Sequence, residues 1–325
     1  MRTVLIVLAL VVLGLAALFY LGPRPQVGDT VTFDAAAIGD DPEAYLAARE
    51  AEVANLKDGA QKRIVWADPA AKAKTPLAVV YVHGFSATTE EVRPLPDIVA
   101  KELGANLHFA RLTGHGRDGA GMADGSADAW LDDVAEAIAI GRRIGDRVIL
   151  LSASTGGTLT TWAAQLPGMM ENVAGQAMIS PNFAVVDPNA ALLTLPWGRQ
   201  LLPAVVGAQR SFEAMNEEHG RWWTTSYPTV ALIPMQATVE RAAKVPVEDI
   251  AVPALFIFHP NDKVVRSDVT EQVAARWGKN TGAKVEIERV TQAEDPFNHV
   301  IAGRILSPSN TEPLAARIVE WARGL

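Results

Sequence analysis

The sequence contains no cysteine in its 325 residues. This absence excludes a disulfide framework, a cysteine nucleophile and a metal site built from thiolates. The six histidines are scattered, and none of them stands in a metal-ligand spacing such as H-E-x-x-H. We therefore expect no metal and no organic cofactor to be needed.

Positive charge is also scarce. The chain has 29 lysines and arginines against 37 acidic residues, a net charge of −8, and no block of basic residues. Nucleic-acid binding is therefore not expected. The hydrophobic share of 49% is ordinary for a globular protein, and the length is sufficient for one large domain or two smaller ones.

Charge is missing altogether from residues 4–22. As a helix this run would be about 28 Å long, close to the thickness of the hydrocarbon layer of a membrane. A cleaved signal usually has a shorter apolar region and ends at a small-x-small site, which this run lacks. We predict a transmembrane anchor in residues 1–25, with a cleaved secretory signal as the alternative and a buried core helix as the least favoured interpretation.

The charges that flank this run favour an N-terminus inside the cytoplasm. Arg2 precedes the run, whereas Arg24 is followed by several aspartates. We therefore expect a membrane-anchored protein whose main domain lies outside the cytoplasm, in a periplasm-like space. Secretion after cleavage is the alternative.

Strands and helices alternate along most of the remaining chain. Residues 26–60 are predicted to form a helical lead-in. Apolar runs predict strands at 77–82, 105–112, 148–151, 173–179 and 254–258, with a strand near the sheet edge at 284–290. Helical spacing predicts helices at 126–144 and 311–323. The alternation implies an α/β fold with a mostly parallel, doubly wound sheet, formed by residues 61–180 and 251–325.

Residues 181–250 interrupt this alternation. The segment is rich in proline, leucine and tryptophan, and we interpret it as a cap of short helices over the sheet. Its apolar side chains either pack against the body or line an apolar pocket, and the sequence alone does not separate the two sets. His219 lies in a polar run of this segment and is predicted to be solvated.

A cluster of small residues directly follows the strand predicted at 148–151. Ser152-Ala-Ser154-Thr-Gly156 is close to the G-x-S-x-G pattern of a nucleophile elbow, a sharp strand-to-helix turn that exposes a serine. Ser152 stands in place of the first glycine. We predict Ser154 as the nucleophile because Thr155 and Gly156 follow it in the register of an elbow. Ser152 is the alternative.

Two further loops supply the partners that a serine nucleophile requires. Asp262 follows the strand predicted at 254–258, and His299 ends a later loop. A serine hydroxyl needs a base to remove its proton, and an aspartate can orient that base and stabilise its charged form. Functional loops gather at the carboxyl ends of parallel strands. We therefore predict a catalytic triad of Ser154, His299 and Asp262.

Backbone N–H groups near the serine are candidates for an oxyanion hole. His83-Gly84-Phe85 follows the strand predicted at 77–82, as the oxyanion loop of lipases and esterases does. We predict that the N–H groups of Phe85 and Thr155 stabilise the oxygen of a tetrahedral intermediate. His115, between two glycines, is predicted to be structural.

Taken together, these motifs resemble those of the α/β-hydrolases, in the branch of monoacylglycerol-lipase-like and carboxylesterase-like enzymes. The resemblance covers roughly residues 60 to 325 and departs from the family pattern at Ser152. It rests on five motifs in order: His83-Gly84-Phe85, Thr113-Gly-His-Gly116, Ser152-x-Ser154-x-Gly156, Asn261-Asp-Lys-Val-Val265 and Asn298-His299-Val300. It implies a serine hydrolase of α/β-hydrolase fold, with a helical cap inserted between the sixth and seventh strands.

The expected activity is hydrolysis of carboxylic esters through an acyl-enzyme. The apolar cap and the membrane segment favour an amphiphilic acyl ester or lipid, such as a monoacylglycerol, as the small-molecule substrate. A peptidase, thioesterase or acyltransferase using the same triad is an alternative, since fold and triad do not settle the bond that is cleaved. A non-catalytic, membrane-anchored binding protein on a hydrolase fold is an alternative of another class.

Overall fold

A computed structural model describes residues 2–325 of the chain. Its centre is a seven-stranded sheet with the strand order β1-β3-β2-β4-β5-β8-β9. The strands of this sheet are β1 Arg63–Val65, β2 Thr75–Val82, β3 Asn106–Phe109, β4 Gly145–Ala153, β5 Val173–Ile179, β8 Ala254–Phe258 and β9 Val285–Arg289. All neighbouring pairs are parallel except β1 with β3.

Helices cover both faces of this sheet. Their bounds are α1 Arg2–Tyr20, α2 Pro42–Ala51, α3 Leu95–Leu103, α4 Ala127–Ile144, α5 Thr155–Ala163, α6 Gly198–Val205, α7 Glu217–Trp222, α8 Leu232–Ala242, α9 Ser267–Arg276 and α10 Thr311–Arg323. Helices α3 and α10 share a core with one face, and α4, α5 and α9 share a core with the other. The prediction of a mostly parallel, doubly wound sheet is confirmed.

The apolar residues of its strands explain why the sheet is buried. The last five residues of β2 and all five of β8 are buried apolar or aromatic residues, as expected for strands covered on both faces. The predicted edge strand at 284–290 is β9, which lies at the end of the sheet and is only half buried. Because consecutive parallel strands need helical crossovers, the loops that leave their carboxyl ends meet along one edge.

The N-terminal helix α1 stands apart from this core. It is without charge or strongly polar side chains after Thr3, and none of its residues is buried. It is the one helix in residues 2–325 that is long and apolar enough to cross a membrane, and a signal sequence has the same properties. The least favoured interpretation, a buried core helix, is therefore wrong.

The lead-in after α1 is held to the sheet edge by buried ion pairs. Asp41 caps α2 by accepting hydrogen bonds from the N–H groups of residues 43 and 44. From α2, Glu50 pairs with Arg111, with oxygen–nitrogen distances of 2.7 and 2.8 Å. Lys62 lies between Asp133 and Glu136 of α4 and is itself buried. These contacts join residues 41–62 to the body of the protein.

The segment between β5 and β8 contains short helices and a two-stranded sheet. Helices α6, α7 and α8 lie in it, with strands β6 Gln209–Ser211 and β7 Ser226–Pro228. Helix α8 contacts α5, the helix that begins directly after Ser154. Five strands of the seven-stranded sheet precede the segment. The segment therefore lies between the fifth and sixth strands of this sheet, and the implied position between the sixth and seventh strands is wrong. Only one strand, the antiparallel β1, precedes β2 in residues 2–325.

The prediction for His219 is also wrong. The side chain is buried rather than solvated, with only 4% of its surface exposed. Asn216 caps α7 by accepting a hydrogen bond from the His219 N–H, and this cap turns the histidine inward. Its ring then lies against Trp223, with ring centroids 4.7 Å apart.

Candidate active site

Ser154 lies on a strained turn between β4 and α5. Its backbone angles are φ 65° and ψ −111°, a conformation that costs a non-glycine residue about 1–3 kcal/mol. The turn is held from both sides: the Ser154 N–H donates to the Ile179 carbonyl at 3.0 Å, and its carbonyl accepts from the Asn182 N–H at 3.1 Å. Strand β5 and the chain that follows it therefore fix the serine.

The small residues around Ser154 allow the strand and the helix to approach closely. A methyl group on Gly156 would lie 2.2 Å from the Val82 carbonyl oxygen, closer than any side chain tolerates. Ser152 is fully buried on β4, and its Oγ lies 3.4 Å from the Thr160 Oγ1. Its hydroxyl thus faces helix α5, whereas Ser154 faces His299.

Three predicted residues meet at this turn. The His299 Nε2 is 3.0 Å from the Ser154 Oγ, and the His299 Nδ1 is 2.8 Å from the Asp262 Oδ2. The other carboxylate oxygen of Asp262 accepts from the N–H groups of Val264 and Val265, at 2.8 and 2.9 Å. With both oxygens engaged, the carboxylate orients the ring so that Nδ1 donates and Nε2 is free to accept the serine proton.

A second aspartate shapes the loop that carries His299. One oxygen of the buried Asp295 accepts from the N–H groups of His299 and Val300, at 2.9 and 2.8 Å, and the other accepts from Phe297 at 3.0 Å. Ser180, just after β5, donates to the His299 carbonyl at 2.7 Å. The imidazole is therefore held by its backbone as well as by Asp262.

The charges around His299 favour its protonated form. Burial alone would lower the pKa of the imidazole, but the charge and hydrogen bond of Asp262 outweigh burial, and Glu91 and Asp295 add to their effect. The net result is a pKa raised above the ordinary value for histidine. A base with this property accepts a proton from serine and stabilises the resulting ion pair with Asp262.

The loop after β2 is fixed by a buried histidine and a buried glutamate. His83 accepts from the Leu112 N–H through Nε2, so its Nδ1 carries the proton and donates to the Gly84 carbonyl at 2.8 Å. Burial lowers the pKa of His83 to about 4, so the ring stays neutral. On the other side of Gly84, Glu91 accepts a hydrogen bond from the Gly84 N–H at 2.7 Å. Glu91 also accepts one from the Tyr81 hydroxyl at 2.9 Å.

These contacts set the direction of the Phe85 N–H. A trans peptide holds its C=O and N–H on opposite sides, so the bond from His83 to the Gly84 carbonyl turns the Phe85 N–H the other way. Gly84 lies against Ser154, since a methyl group placed on it would be 3.0 Å from the Ser154 Cβ. Within residues 2–325, the N–H groups of Phe85 and Thr155 donate no hydrogen bond. Two free donors therefore flank the serine.

The site is almost closed to solvent. Ser154 is 7% exposed, and the side chains of His299 and Asp262 are 12% and 0% exposed. Phe85 packs edge-on against Tyr227 of the segment between β5 and β8 and against His115, with centroids 5.4 and 5.6 Å apart. Hydrogen bonds and charges act more strongly in such a water-poor environment.

The described residues contain no group of three or more histidine, aspartate or glutamate side chains arranged to hold a metal ion. A cavity of about 580 Å³ lies between α2 and β1, lined by residues such as Leu46, Leu56 and Ile64, and none of the predicted site residues reaches it.

Sequence reasoning missed three residues of this site. Glu91 and Ser180 have no motif of their own, and each contacts a backbone group that folding brings to it, whereas Asp295 contacts backbone N–H groups of its own loop. Asp295 stands before proline in a loop, a pattern typical of an aspartate that accepts from nearby backbone N–H groups. That pattern was available in the sequence, whereas the contacts of Glu91 and Ser180 depend on the fold.

Comparison with known proteins identifies the family of this chain and one curated relative. The model of the Alpha/beta hydrolase family matches residues 79–299, a range that contains Ser154, Asp262 and His299. A thermostable monoacylglycerol lipase from Bacillus sp. (strain H-257) is 28% identical over 199 residues, which cover 61% of this chain and 76% of that protein.

Solved structures show the same fold. One described under "LipS and LipT, two metagenome-derived lipolytic enzymes" superposes with a TM-score of 0.66 at 22% identity, covering 83% of this chain and all of that one. A soluble variant of monoglyceride lipase from Saccharomyces cerevisiae gives 0.60 at 11% identity, covering 82% and 92%. A monoacylglycerol lipase from Paleococcus ferrophilus gives 0.57 at 17%, covering 80% and 97%.

Proposed function

Since the chain belongs to the Alpha/beta hydrolase family, we propose that it hydrolyses carboxylic esters with Ser154 as the nucleophile. The observation that carries the proposal is the hydrogen-bonded chain from the Ser154 Oγ to His299 and on to Asp262. A serine with such a base and orienting carboxylate is equipped for acyl transfer. The matched relative is a monoacylglycerol lipase, and we extend its substrate class, monoacylglycerols and similar acyl esters, to this chain.

The first half of the reaction forms an acyl-enzyme. The Ser154 Oγ attacks the ester carbonyl carbon while its proton passes to the His299 Nε2. The negative charge that develops on the carbonyl oxygen is stabilised by the N–H groups of Phe85 and Thr155, and Asp262 stabilises the imidazolium. The intermediate then collapses, the bond to the alcohol breaks, and His299 returns the proton to the leaving alkoxide.

The second half repeats these steps with water. His299 takes a proton from a water molecule as the water oxygen attacks the acyl carbon on Ser154. Collapse of the second intermediate breaks the bond to the serine and releases the carboxylic acid, and the proton returns to the Ser154 Oγ. The two N–H donors serve both halves because the oxyanion forms at the same place.

The segment of residues 181–250 is the proposed cap over this site. Tyr227 from this segment packs against Phe85, one proposed oxyanion donor, and α8 packs against α5, the helix that begins with Thr155. Its apolar side chains suit an acyl chain rather than a charged substrate.

We further propose that α1 is an uncleaved membrane anchor with the catalytic domain outside the cytoplasm. Protease digestion of intact cells and of spheroplasts checks this topology, since a domain that stays fully protected in both would contradict it.

The activity is tested with p-nitrophenyl acyl esters and a monoacylglycerol. We expect the Ser154→Ala variant to lose at least about a thousandfold in kcat/KM while its melting temperature stays close to that of the unmodified chain. Ser152→Ala is the matched control, because it makes the same substitution two residues away. This variant should keep most of the activity. Undiminished hydrolysis by a pure Ser154→Ala preparation would refute the assignment.

The same assay separates the alternatives that use this triad. Esters, thioesters and aminoacyl amides with one common acyl group are compared, together with an alcohol acceptor offered against water. We expect the ester to have the highest kcat/KM and water to be the preferred acceptor. A higher rate with an amide, a thioester or the alcohol would reassign the chain to a peptidase, a thioesterase or an acyltransferase.

A further inference from the structure

One stretch of the proposed cap carries an unusual surface. Residues 188–212 contain no acidic residue, although the whole chain has a net charge of −8, and their only charges are Arg199 and Arg210. Several large apolar side chains of this stretch are exposed: Leu192 (51%), Leu195 (38%), Leu201 (51%), Val205 (77%), Val206 (58%) and Phe212 (37%). We call these residues and the two arginines the 188–212 surface. Apolar surface of this kind usually contacts another molecule or a membrane.

The 188–212 surface is joined to the end of the apolar helix α1. The Trp197 indole N–H donates to the Leu18 carbonyl at 2.9 Å, and the Trp197 backbone N–H donates to the Pro23 carbonyl at 2.9 Å. The indole also packs on Gly22 so tightly that a methyl group there would overlap it. Helix α6, which carries Leu201 and Val205, begins at the next residue. The surface therefore starts where α1 ends.

We propose that the 188–212 surface rests on the lipid bilayer that α1 crosses, with its apolar side chains in the interfacial layer and its two arginines at acidic headgroups. The inference rests on the proposed anchoring role of α1. A membrane is favoured over a protein partner because Trp197 holds the surface next to the point where α1 leaves the hydrocarbon, and tryptophan is typical of that depth. The lack of acidic residues suits an anionic membrane, which would repel most of this acidic chain.

This placement has a consequence for the proposed substrate. The cap segment would meet the membrane directly, so an amphiphilic ester could pass from the lipid layer towards Ser154 without first dissolving in water. Arginine suits this arrangement because its long side chain lets the guanidinium reach headgroups while the carbons stay in contact with apolar surface.

The test uses the full chain in vesicles of phosphatidylcholine and phosphatidylglycerol. Because the sequence has no cysteine, a single introduced cysteine can be labelled with an environment-sensitive fluorophore. Val205→Cys reports on the surface, and Leu10→Cys reports on α1. Val65→Cys, an exposed valine on the edge strand β1, is the matched control. Each labelled chain is measured in vesicles with and without bromine-labelled lipid, which quenches a fluorophore in contact with it.

We expect bromine-labelled lipid to quench the labels at Leu10→Cys and Val205→Cys by about half or more and to leave Val65→Cys almost unchanged. Adding Arg199→Glu and Arg210→Glu should reduce quenching at Val205→Cys in anionic vesicles without changing it at Leu10→Cys. Quenching at Leu10→Cys without quenching at Val205→Cys would overturn the inference and leave the anchor standing. Failure of the chain to remain with the vesicles would overturn both. Neither readout depends on ester hydrolysis, so the result is independent of the catalytic proposal.

Discussion

Adding one methyl group at Gly156 tests how the serine turn is assembled. In Gly156→Ala the new Cβ would lie 2.2 Å from the Val82 carbonyl oxygen and 2.9 Å from that of His83, whereas ordinary contact begins at 3.4 Å. Both neighbours are backbone atoms, so no side-chain rotation relieves the overlap. The start of α5 must therefore move away from the end of β2 by about 1.2 Å.

This movement acts directly on the proposed oxyanion hole. Thr155 begins α5, and Phe85 follows the end of β2, so the separation pulls the two N–H donors apart. A misplacement of about 1 Å in a catalytic group costs on the order of a hundredfold in rate. Overpacking of this kind costs about 1–3 kcal/mol in the free energy of unfolding. We expect kcat to fall about a hundredfold, with a smaller change in KM.

The assay compares kcat, KM and melting temperature for the unmodified chain, Gly156→Ala and Gly28→Ala. Gly28 is the control because the nearest atoms to a methyl group there are 3.9 Å away, so the added carbon fits. Gly28→Ala should retain activity, whereas the folded Gly156→Ala should lose it. A Gly156→Ala protein with kcat close to that of the unmodified chain would refute the argument that close packing of α5 on β2 sets the donors.

Three further predictions follow from single contacts. Activity should rise with pH as His299 loses its proton. Glu91→Gln removes a charge that raises the pKa of His299, so the acidic limb of the kcat/KM profile should move to lower pH by about half a unit to one unit. An unmoved limb would show that Glu91 carries no charge in the active enzyme. Ser152→Gly, which restores the usual elbow glycine, should keep kcat/KM within about threefold, and a loss as large as that of Ser154→Ala would reopen the choice between the two serines. Lys62→Met leaves the buried carboxylates of Asp133 and Glu136 without their cation and should lower the free energy of unfolding in urea by about 3–5 kcal/mol, whereas an unchanged midpoint would mean that the ion pairs contribute nothing.

The sheet could be predicted because its strands are buried on both faces. Strands of this kind are continuous apolar runs, and the predicted runs at 173–179 and 254–258 coincide with β5 and β8. The antiparallel pairing of β1 was not predictable, since two half-buried residues and one exposed residue carry no pattern that specifies a partner. The short helices between β5 and β8 were expected only as a class, because short segments rely on tertiary contacts rather than on their own periodicity.

The candidate site also contains residues that could be predicted from the sequence and residues that could not. Ser154, Asp262 and His299 each follow a strand or lie in a loop, and the rule that loops meet at the carboxyl ends of parallel strands brought them together in advance. Glu91 was not identified, because its contacts with the Gly84 N–H and the Tyr81 hydroxyl and its proximity to His299 exist only after folding. His219 was misjudged because polar neighbours in the sequence do not report which way a capped helix turns its side chains.

The central claim, that Ser154 is an activated nucleophile, is tested most directly by covalent labelling. The purified full chain is treated with a fluorophosphonate, digested, and analysed by mass spectrometry to locate the phosphonylated residue. We expect one adduct per chain, on the Ser154 Oγ, and we expect it to be lost in His299→Ala, because the serine then has no base. An adduct on Ser152, or a folded chain that remains unlabelled in excess reagent, would contradict the claim.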